Sequence, residues 1–287
     1  MHLLLTGAWN EAEAHIPLLQ KFGHEIVFLQ QEADPLPCDP AWVEGTICNG
    51  LFLHHSIEVF PNLRFIQLTS VGFDRVPLDY VREKGIEIHN ARGVYSVPMA
   101  EFAIAGVLSI YKDLPRFQRQ QDAHVWQKNR ELRELAGKRV VIVGCGDVGT
   151  ECAKRFQAFG CQVVGVNRTV KELRYFDRIV SLDALPREIE TADVLIVTLA
   201  LTAETRGLVK ASQMKPDAVL VNISRGAVVD LKGLGCAAVL DVFAEEPLDP
   251  QSPLWDAEKV LITPHNSFVG EGNAHRLSEL ILKNLDK

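Results

Sequence analysis

No apolar run in this 287-residue chain is long enough to cross a bilayer. The longest, residues 102–111, falls well short of the roughly 20 residues that a spanning helix needs. The first residues, Met1-His2-Leu3-Leu4-Leu5-Thr6-Gly7, lack the basic segment and extended apolar core of a secretory leader, and read instead as a first strand. Metal-binding and disulfide patterns are missing as well. Six cysteines, at 38, 48, 145, 152, 161 and 236, form no C-x-x-C pair and no Cys/His spacing that suits zinc. Most fall in predicted strands or helices, where a free thiol is normally buried, so the expectations are no metal and a reducing, cytoplasmic location. Basic excess is absent too. A net charge of −7 argues against a nucleic-acid surface but leaves room for local cationic pockets that hold small anions. What is present, 47% apolar and 23% charged residues over a length that suits two domains, describes a folded chain with neither membrane nor nucleic acid as an expected partner.

Short apolar runs alternate with helical patterns nearly throughout, which is the sequence form of a parallel α/β sheet. In the first third, strands are predicted at 3–5, 25–29, 45–48, 65–69 and 86–89, with helices at 11–22 and 78–84, each stopped by a following glycine, Gly23 or Gly85. One long helix is predicted over 97–121, with Pro98 in its first turn, where proline is tolerated. Its apolar residues, Phe102, Ile104, Val107, Leu108 and Tyr111, exceed what a simple surface helix requires. They suit either a subunit contact, hence an expected homodimer, or a helix that bridges two domains. The pattern then restarts, with strands at 138–143, 162–166, 193–199, 218–223, 237–242 and 259–262, a helix at 149–159 and a last helix at 274–285. The fold class read from this is α/β, with two doubly wound parallel-sheet domains.

The segment from Lys138 to Gly149 carries the sharpest signal. A Val/Ile-rich strand runs straight into Gly144-Cys145-Gly146-Asp147-Val148-Gly149, and a helical pattern follows at once. The first glycine permits a tight turn, the second lets a diphosphate approach bare backbone, and the third lets helix and strand pack closely. The helix start aims unpaired N–H groups and the positive end of its dipole at that anion, so a dinucleotide site is expected, with Asp147 and Val148 in the diphosphate loop. The next strand ends in Asn167-Arg168-Thr169. A site for NAD normally places Asp or Glu there, to accept hydrogen bonds from the ribose 2′-hydroxyl, and that carboxylate would repel a 2′-phosphate. A neutral Asn167 followed by Arg168 and Thr169 favours NADP(H), with NAD(H) left open if Asn167 takes the hydroxyl and Arg168 faces solvent.

Ligands of such sheets bind at the carboxyl ends of the strands. Four segments fall there: Thr69-Ser70-Val71-Gly72-Phe73-Asp74, Asn222-Ile223-Ser224-Arg225-Gly226, Asp241 to Leu248, and Thr263-Pro264-His265-Asn266-Ser267-Phe268. Their order and wording resemble the D-isomer-specific 2-hydroxyacid dehydrogenases, over nearly the whole chain. The resemblance implies a Rossmann cofactor domain (97–267) inserted in a flavodoxin-like substrate domain (1–96 and 268–287). It also implies catalytic roles for Arg225, Glu246 and His265, and cofactor contacts from Ile223, Ser224 and Asp241 beside Gly144, Gly146 and Gly149. Substrate-carboxylate contacts follow at Val71 and Gly72, alongside Arg225 and His265. Glu245 is one residue off the family register, which favours Glu246. Without the family, Val71 and Gly72 would pass as a plain strand-to-helix turn. The chemistry agrees with the roles: reduction of a 2-oxo acid needs a cation for the carboxylate and carbonyl, which a guanidinium fork supplies, and a proton source with a pKa near operating pH, which an imidazole supplies.

The expected activity is hydride transfer between a nicotinamide and a small 2-oxo or D-2-hydroxy acid. A nucleotide-sensing, corepressor-like binding protein of the same fold is the alternative. The chain also departs from the family pattern. The stretches 209–214 and 230–237 are short for crossovers, Ala200 replaces a usual proline, and Tyr95 stands where Asn is common.

Overall fold

A computed structural model describes residues 1–286 and divides the chain into two compact units, Met1–Val94 with Gly270–Lys287 and Tyr95–Val269. The first unit holds five strands, β1 (His2–Thr6), β2 (Glu25–Leu29), β3 (Gly45–Cys48), β4 (Phe65–Leu68) and β5 (Glu87–His89). They pair in parallel in the order β2-β1-β3-β4-β5, the flavodoxin-like arrangement. Central strands are buried along their length, as expected of a sheet covered on both faces. Helices α1 (Ala12–Lys21), α2 (Leu51–His54) and α3 (Leu78–Lys84) connect them, and Gly85 ends α3 in the left-handed region. The glycine there needs no accommodation for a Cβ, which is why the stop was legible.

In the second unit, the apolar helix stops earlier than predicted. Instead of one helix over 97–121, α4 (Ser96–Tyr111) and α5 (Leu114–Asp122) are separated by Lys112 and Asp113, with Asp113 at φ 52°. Pro115 is the cause: it has no N–H for the Tyr111 carbonyl, and its ring would collide with that carbonyl in a continuous helix. The apolar residues of α4 enter the core of their own unit. Ile104, Val107 and Tyr111 are buried, and a Cβ on Gly106 would lie 2.7 Å from Val239. Their richness therefore needs no second subunit or second domain to explain it.

Strands β6 (Arg139–Val143), β7 (Gln162–Val166), β8 (Arg178–Val180), β9 (Val194–Val197), β11 (Val219–Asn222), β13 (Ala237–Leu240) and β14 (Val260–Ile262) form an all-parallel sheet ordered β14-β13-β11-β9-β6-β7-β8. Two short strands, β10 (Val209–Lys210) and β12 (Val229–Asp230), pair separately. The order reverses between β6 and β9, the switch point where Rossmann sheets bind dinucleotides. Alternate residues of each strand feed opposite cores: Val140 and Ile142 join one, Val141 and Val143 the other. Helices α6 (Asp147–Ala158) and α7 (Leu185–Thr191) cover the sheet. The crossover from β11 to β13 contains no α-helix. A 3-10 turn at Gly226–Val228, β12 and a turn fill it, with Leu231 and Leu234 packed on the core in place of a helix. The final helix, α8 (Asn273–Leu285), belongs to the first unit, where Ser278 accepts the Trp9 indole N–H at 2.9 Å. Among the described residues, no helix is long and apolar enough to cross a membrane.

Candidate active site

The glycine loop sits at the switch point. Gly144 has φ 101°, outside the range of ordinary side chains, and a Cβ there would meet Thr198 Oγ1 at 3.0 Å. Thr198 closes the crevice from β9 by donating its hydroxyl to the Gly144 carbonyl at 2.7 Å. At Gly149 a Cβ would lie 2.0 Å from the same carbonyl, so helix α6 can approach β6 this closely only with glycine. Gly146 differs. It precedes α6 with extended backbone, no side chain caps the helix, and a Cβ would meet nothing within 4 Å. Gly144 and Gly149 thus meet the steric demands of a tight turn and of close helix–strand packing, and Gly146 leaves open the space in front of the helix amides, where a diphosphate would fit. Asp147 and Val148 form the first turn of α6. At the end of β7, Asn167 donates its side-chain amide to the Thr169 carbonyl at 3.1 Å, while Arg168 and Thr169 are exposed.

Arg225 follows β11 on a loop that Asn222 builds. The buried Asn222 side chain accepts the Ser224 N–H at 3.1 Å and the Ser224 hydroxyl at 2.8 Å, and donates to the Arg225 carbonyl at 3.2 Å. Ile223 and Ser224 are buried beneath it, and the exposed Arg225 guanidinium donates to the Ser224 carbonyl at 2.8 Å. Gly226 brings this loop against the next. Its missing Cβ would lie 1.9 Å from the Phe243 carbonyl carbon and 2.3 Å from the Ala244 nitrogen. The Phe243 N–H in turn donates to Glu246 Oε1 at 2.8 Å, and Glu246 Oε2 lies 2.8 Å from His265 Nδ1. A continuous run of contacts therefore links the loop of Arg225 to Glu246 and on to His265.

His265 sits at φ 52°, a left-handed conformation that is costly for a residue with a Cβ. Asp241 holds it there. This carboxylate is fully buried and accepts from the Thr263 hydroxyl (2.7 Å), the Asn266 N–H (2.7 Å) and the Ser267 N–H (3.0 Å), while its backbone carbonyl accepts the His265 N–H at 2.8 Å. Expected to face a nicotinamide amide, Asp241 commits both oxygens to the loop that carries the imidazole. The bond from Nδ1 to Glu246 fixes the ring and leaves Nε2 as the position from which a proton can be given or taken.

Val71 and Gly72 lie in the first unit, in the loop after β4, where the Asn90 side chain donates to the Val71 carbonyl at 2.7 Å. Three contributors escape sequence reading: Asn222, Gly226 and the latching role of Asp241. The available signals are slight, namely a polar residue ending an apolar strand, a glycine beside an arginine, and an acid at the end of β13. The roles of Gly226 and Asp241 depend on partners distant in sequence, whereas Asn222 acts within its own loop.

Residues 104–267 match the family model of the D-isomer specific 2-hydroxyacid dehydrogenase, NAD binding domain. A glyoxylate/hydroxypyruvate reductase of Arabidopsis thaliana is 32% identical over 242 residues, which cover 78% of this chain and 73% of the relative. A D-isomer specific 2-hydroxyacid dehydrogenase of Xanthobacter autotrophicus Py2, solved with NADPH and MES, superposes with a TM-score of 0.81 at 27% identity, covering 99% of this chain and 93% of that one. An NADPH-dependent glyoxylate/hydroxypyruvate reductase of Sinorhizobium meliloti, solved with citrate, gives 0.80 at 25% identity, covering 100% and 93%.

Proposed function

Since this chain belongs to the D-isomer specific 2-hydroxyacid dehydrogenase family and is an NAD(P)-dependent oxidoreductase of 2-oxo and 2-hydroxy acids, we propose that Arg225, Glu246 and His265 carry its reaction. The observation behind this assignment is the 2.8 Å contact between Glu246 Oε2 and His265 Nδ1, which aims Nε2 outward. When bound, the nicotinamide supplies or accepts the hydride. Arg225 binds the substrate carboxylate through its fork and polarises the carbonyl. His265 gives its Nε2 proton to the carbonyl oxygen during reduction and takes it back during oxidation, while Glu246 stabilises the charged ring. In the opposite direction, the same Nε2 acts as base toward the hydroxyl. The glycine loop with α6 holds the cofactor diphosphate, and the first unit, with Val71 and Gly72, serves as the substrate domain.

NADP(H) is the favoured cofactor. Neutral Asn167 ends β7 where a carboxylate would repel a 2′-phosphate, exposed Arg168 and Thr169 adjoin it, and NADPH occupies or serves the two solved relatives above. A homodimer in the cytoplasm completes the reading. Its support is the arm after α5, where Val125 and Trp126 remain exposed, Trp126 at 97%. A mass near twice 31.9 kDa in light scattering is the expected result, and a monomer would refute it.

The activity test is oxidation of NADPH and NADH with glyoxylate, hydroxypyruvate and pyruvate. Turnover of at least one acid is expected, with His265→Ala losing most of it, by about 10²–10⁴-fold, while still binding cofactor. Full activity in His265→Ala would remove the assigned acid.

A further inference from the structure

Arg225, Glu246 and His265 provide for the carboxylate, the carbonyl and the proton, but not for the group that distinguishes one 2-oxo acid from another. Phe268 stands beside the imidazole with its ring centroid 6.1 Å away at 86°, and Tyr95 meets the same phenyl ring at 6.0 Å and 86°. Both pairs have edge-to-face geometry. Phe268 nevertheless keeps 42% of its surface exposed. It is not on a loose loop. Asp241 holds the N–H groups of Asn266 and Ser267, and the Val269 N–H bonds to the Asn266 carbonyl at 3.1 Å, so the turn is pinned on both sides of Phe268. Tyr95 keeps its surface uncharged, since burial raises its phenol above the ordinary value. A fixed, neutral, apolar wall therefore stands next to the proton-donating ring.

A carbonyl oxygen within hydrogen-bond reach of Nε2 brings the first carbon of the substituent to within about 5 Å of the imidazole, the scale on which Phe268 stands. We propose that Phe268, backed by Tyr95, is the specificity-determining residue for that substituent, favouring uncharged apolar groups over hydrogen or a phosphorylated group. The proposal rests on His265 being the proton donor.

The test is kcat/KM with saturating NADPH for glyoxylate, pyruvate, 2-oxobutyrate, 2-oxo-4-methylpentanoate and 3-phosphohydroxypyruvate, in the wild type, Phe268→Ala, Phe268→Leu and His265→Ala. Loss of apolar contact with a substituent is worth about tenfold or more per methylene. Phe268→Ala should therefore lower the ratio of 2-oxo-4-methylpentanoate to glyoxylate at least tenfold, and Phe268→Leu, which keeps part of the apolar contact, should lower it only severalfold. An equal loss on all five acids would mean that the ring only orients the imidazole, and an unchanged ratio would mean that it does not touch substrate; either overturns the proposal. A wild type that prefers the phosphorylated acid would overturn it also. If Phe268→Ala fails to fold, as judged by loss of NADPH fluorescence binding, the Leu variant decides, since a smaller apolar side chain should lower the same ratio severalfold. Activity surviving in His265→Ala would instead defeat the underlying assignment, whatever the Phe268 variants do.

Discussion

Replacing Gly226 with alanine should separate the two loops of the site. The new Cβ would begin 1.9 Å from the Phe243 carbonyl carbon, 2.2 Å from its oxygen and 2.3 Å from the Ala244 nitrogen, all backbone atoms that cannot swing away. Ordinary contact begins near 3.4 Å, so the loops must part by about 1.5 Å. Arg225 is the adjoining residue, and the Phe243 N–H holds Glu246, so the displacement falls between the guanidinium and the Glu246–His265 pair. Misplacement on the order of 1 Å costs about 100-fold in a reaction that depends on orientation. Overpacking should add about 1–3 kcal/mol of destabilisation. The assay is kcat/KM for the best 2-oxo acid, with thermal melting and NADPH binding measured in parallel. The expected result is a kcat/KM loss of about 100-fold or more, a melting temperature lower by several degrees, and measurable NADPH binding. Wild-type kcat/KM in a stably folded Gly226→Ala would refute the claim that this contact sets the position of Arg225.

Asn167→Asp should turn cofactor choice toward NADH, because the new carboxylate accepts from a ribose hydroxyl and repels a 2′-phosphate; the ratio of kcat/KM for NADPH over NADH should fall at least about tenfold, and no change would place the phosphate elsewhere. Asp241→Ala deletes the acceptor of three hydrogen bonds that hold the loop of His265, for an expected loss of about 3 kcal/mol and a large drop in kcat, and a melting temperature that does not move would contradict the latch. Burial pushes the thiols of Cys145 and Cys152 up to about 12 and that of Cys161 to about 11, and raises those of Cys48 and Cys236. The native protein should then offer Ellman's reagent only Cys38, the one thiol that is not buried, against six thiols after denaturation; three or more fast native thiols would be inconsistent with the packing.

Much of the fold was legible because its signals are local. The Gly144–Gly149 loop, the glycine stop at Gly85 and the Val/Ile-rich strands each declare themselves within a few residues. The four segments that carry the candidate site fell at strand ends in the expected order for the same reason. Misreadings arose where a local pattern was continuous but a single group interrupted it. The apolar periodicity of α4 runs on toward Gln121, and only Pro115 and the left-handed Asp113 mark the break. Strand β8 is three residues long and begins with Arg178, too short and too polar to separate from a loop. The contact of Gly226 with Phe243 and the hold of Asp241 on the loop of His265 left only slight sequence traces, since each joins segments distant in sequence.

A crystal structure of the protein with NADP+ and a non-reducible 2-oxo acid analogue such as oxamate would decide whether Arg225, Glu246 and His265 act together on one substrate. The expected complex has a diphosphate at the start of α6 near Gly146, the analogue carboxylate on the Arg225 guanidinium, and its carbonyl oxygen within hydrogen-bond distance of His265 Nε2, with the Glu246 contact intact. An analogue bound away from His265, or an Arg225 side chain turned from it in the complex, would contradict the assignment.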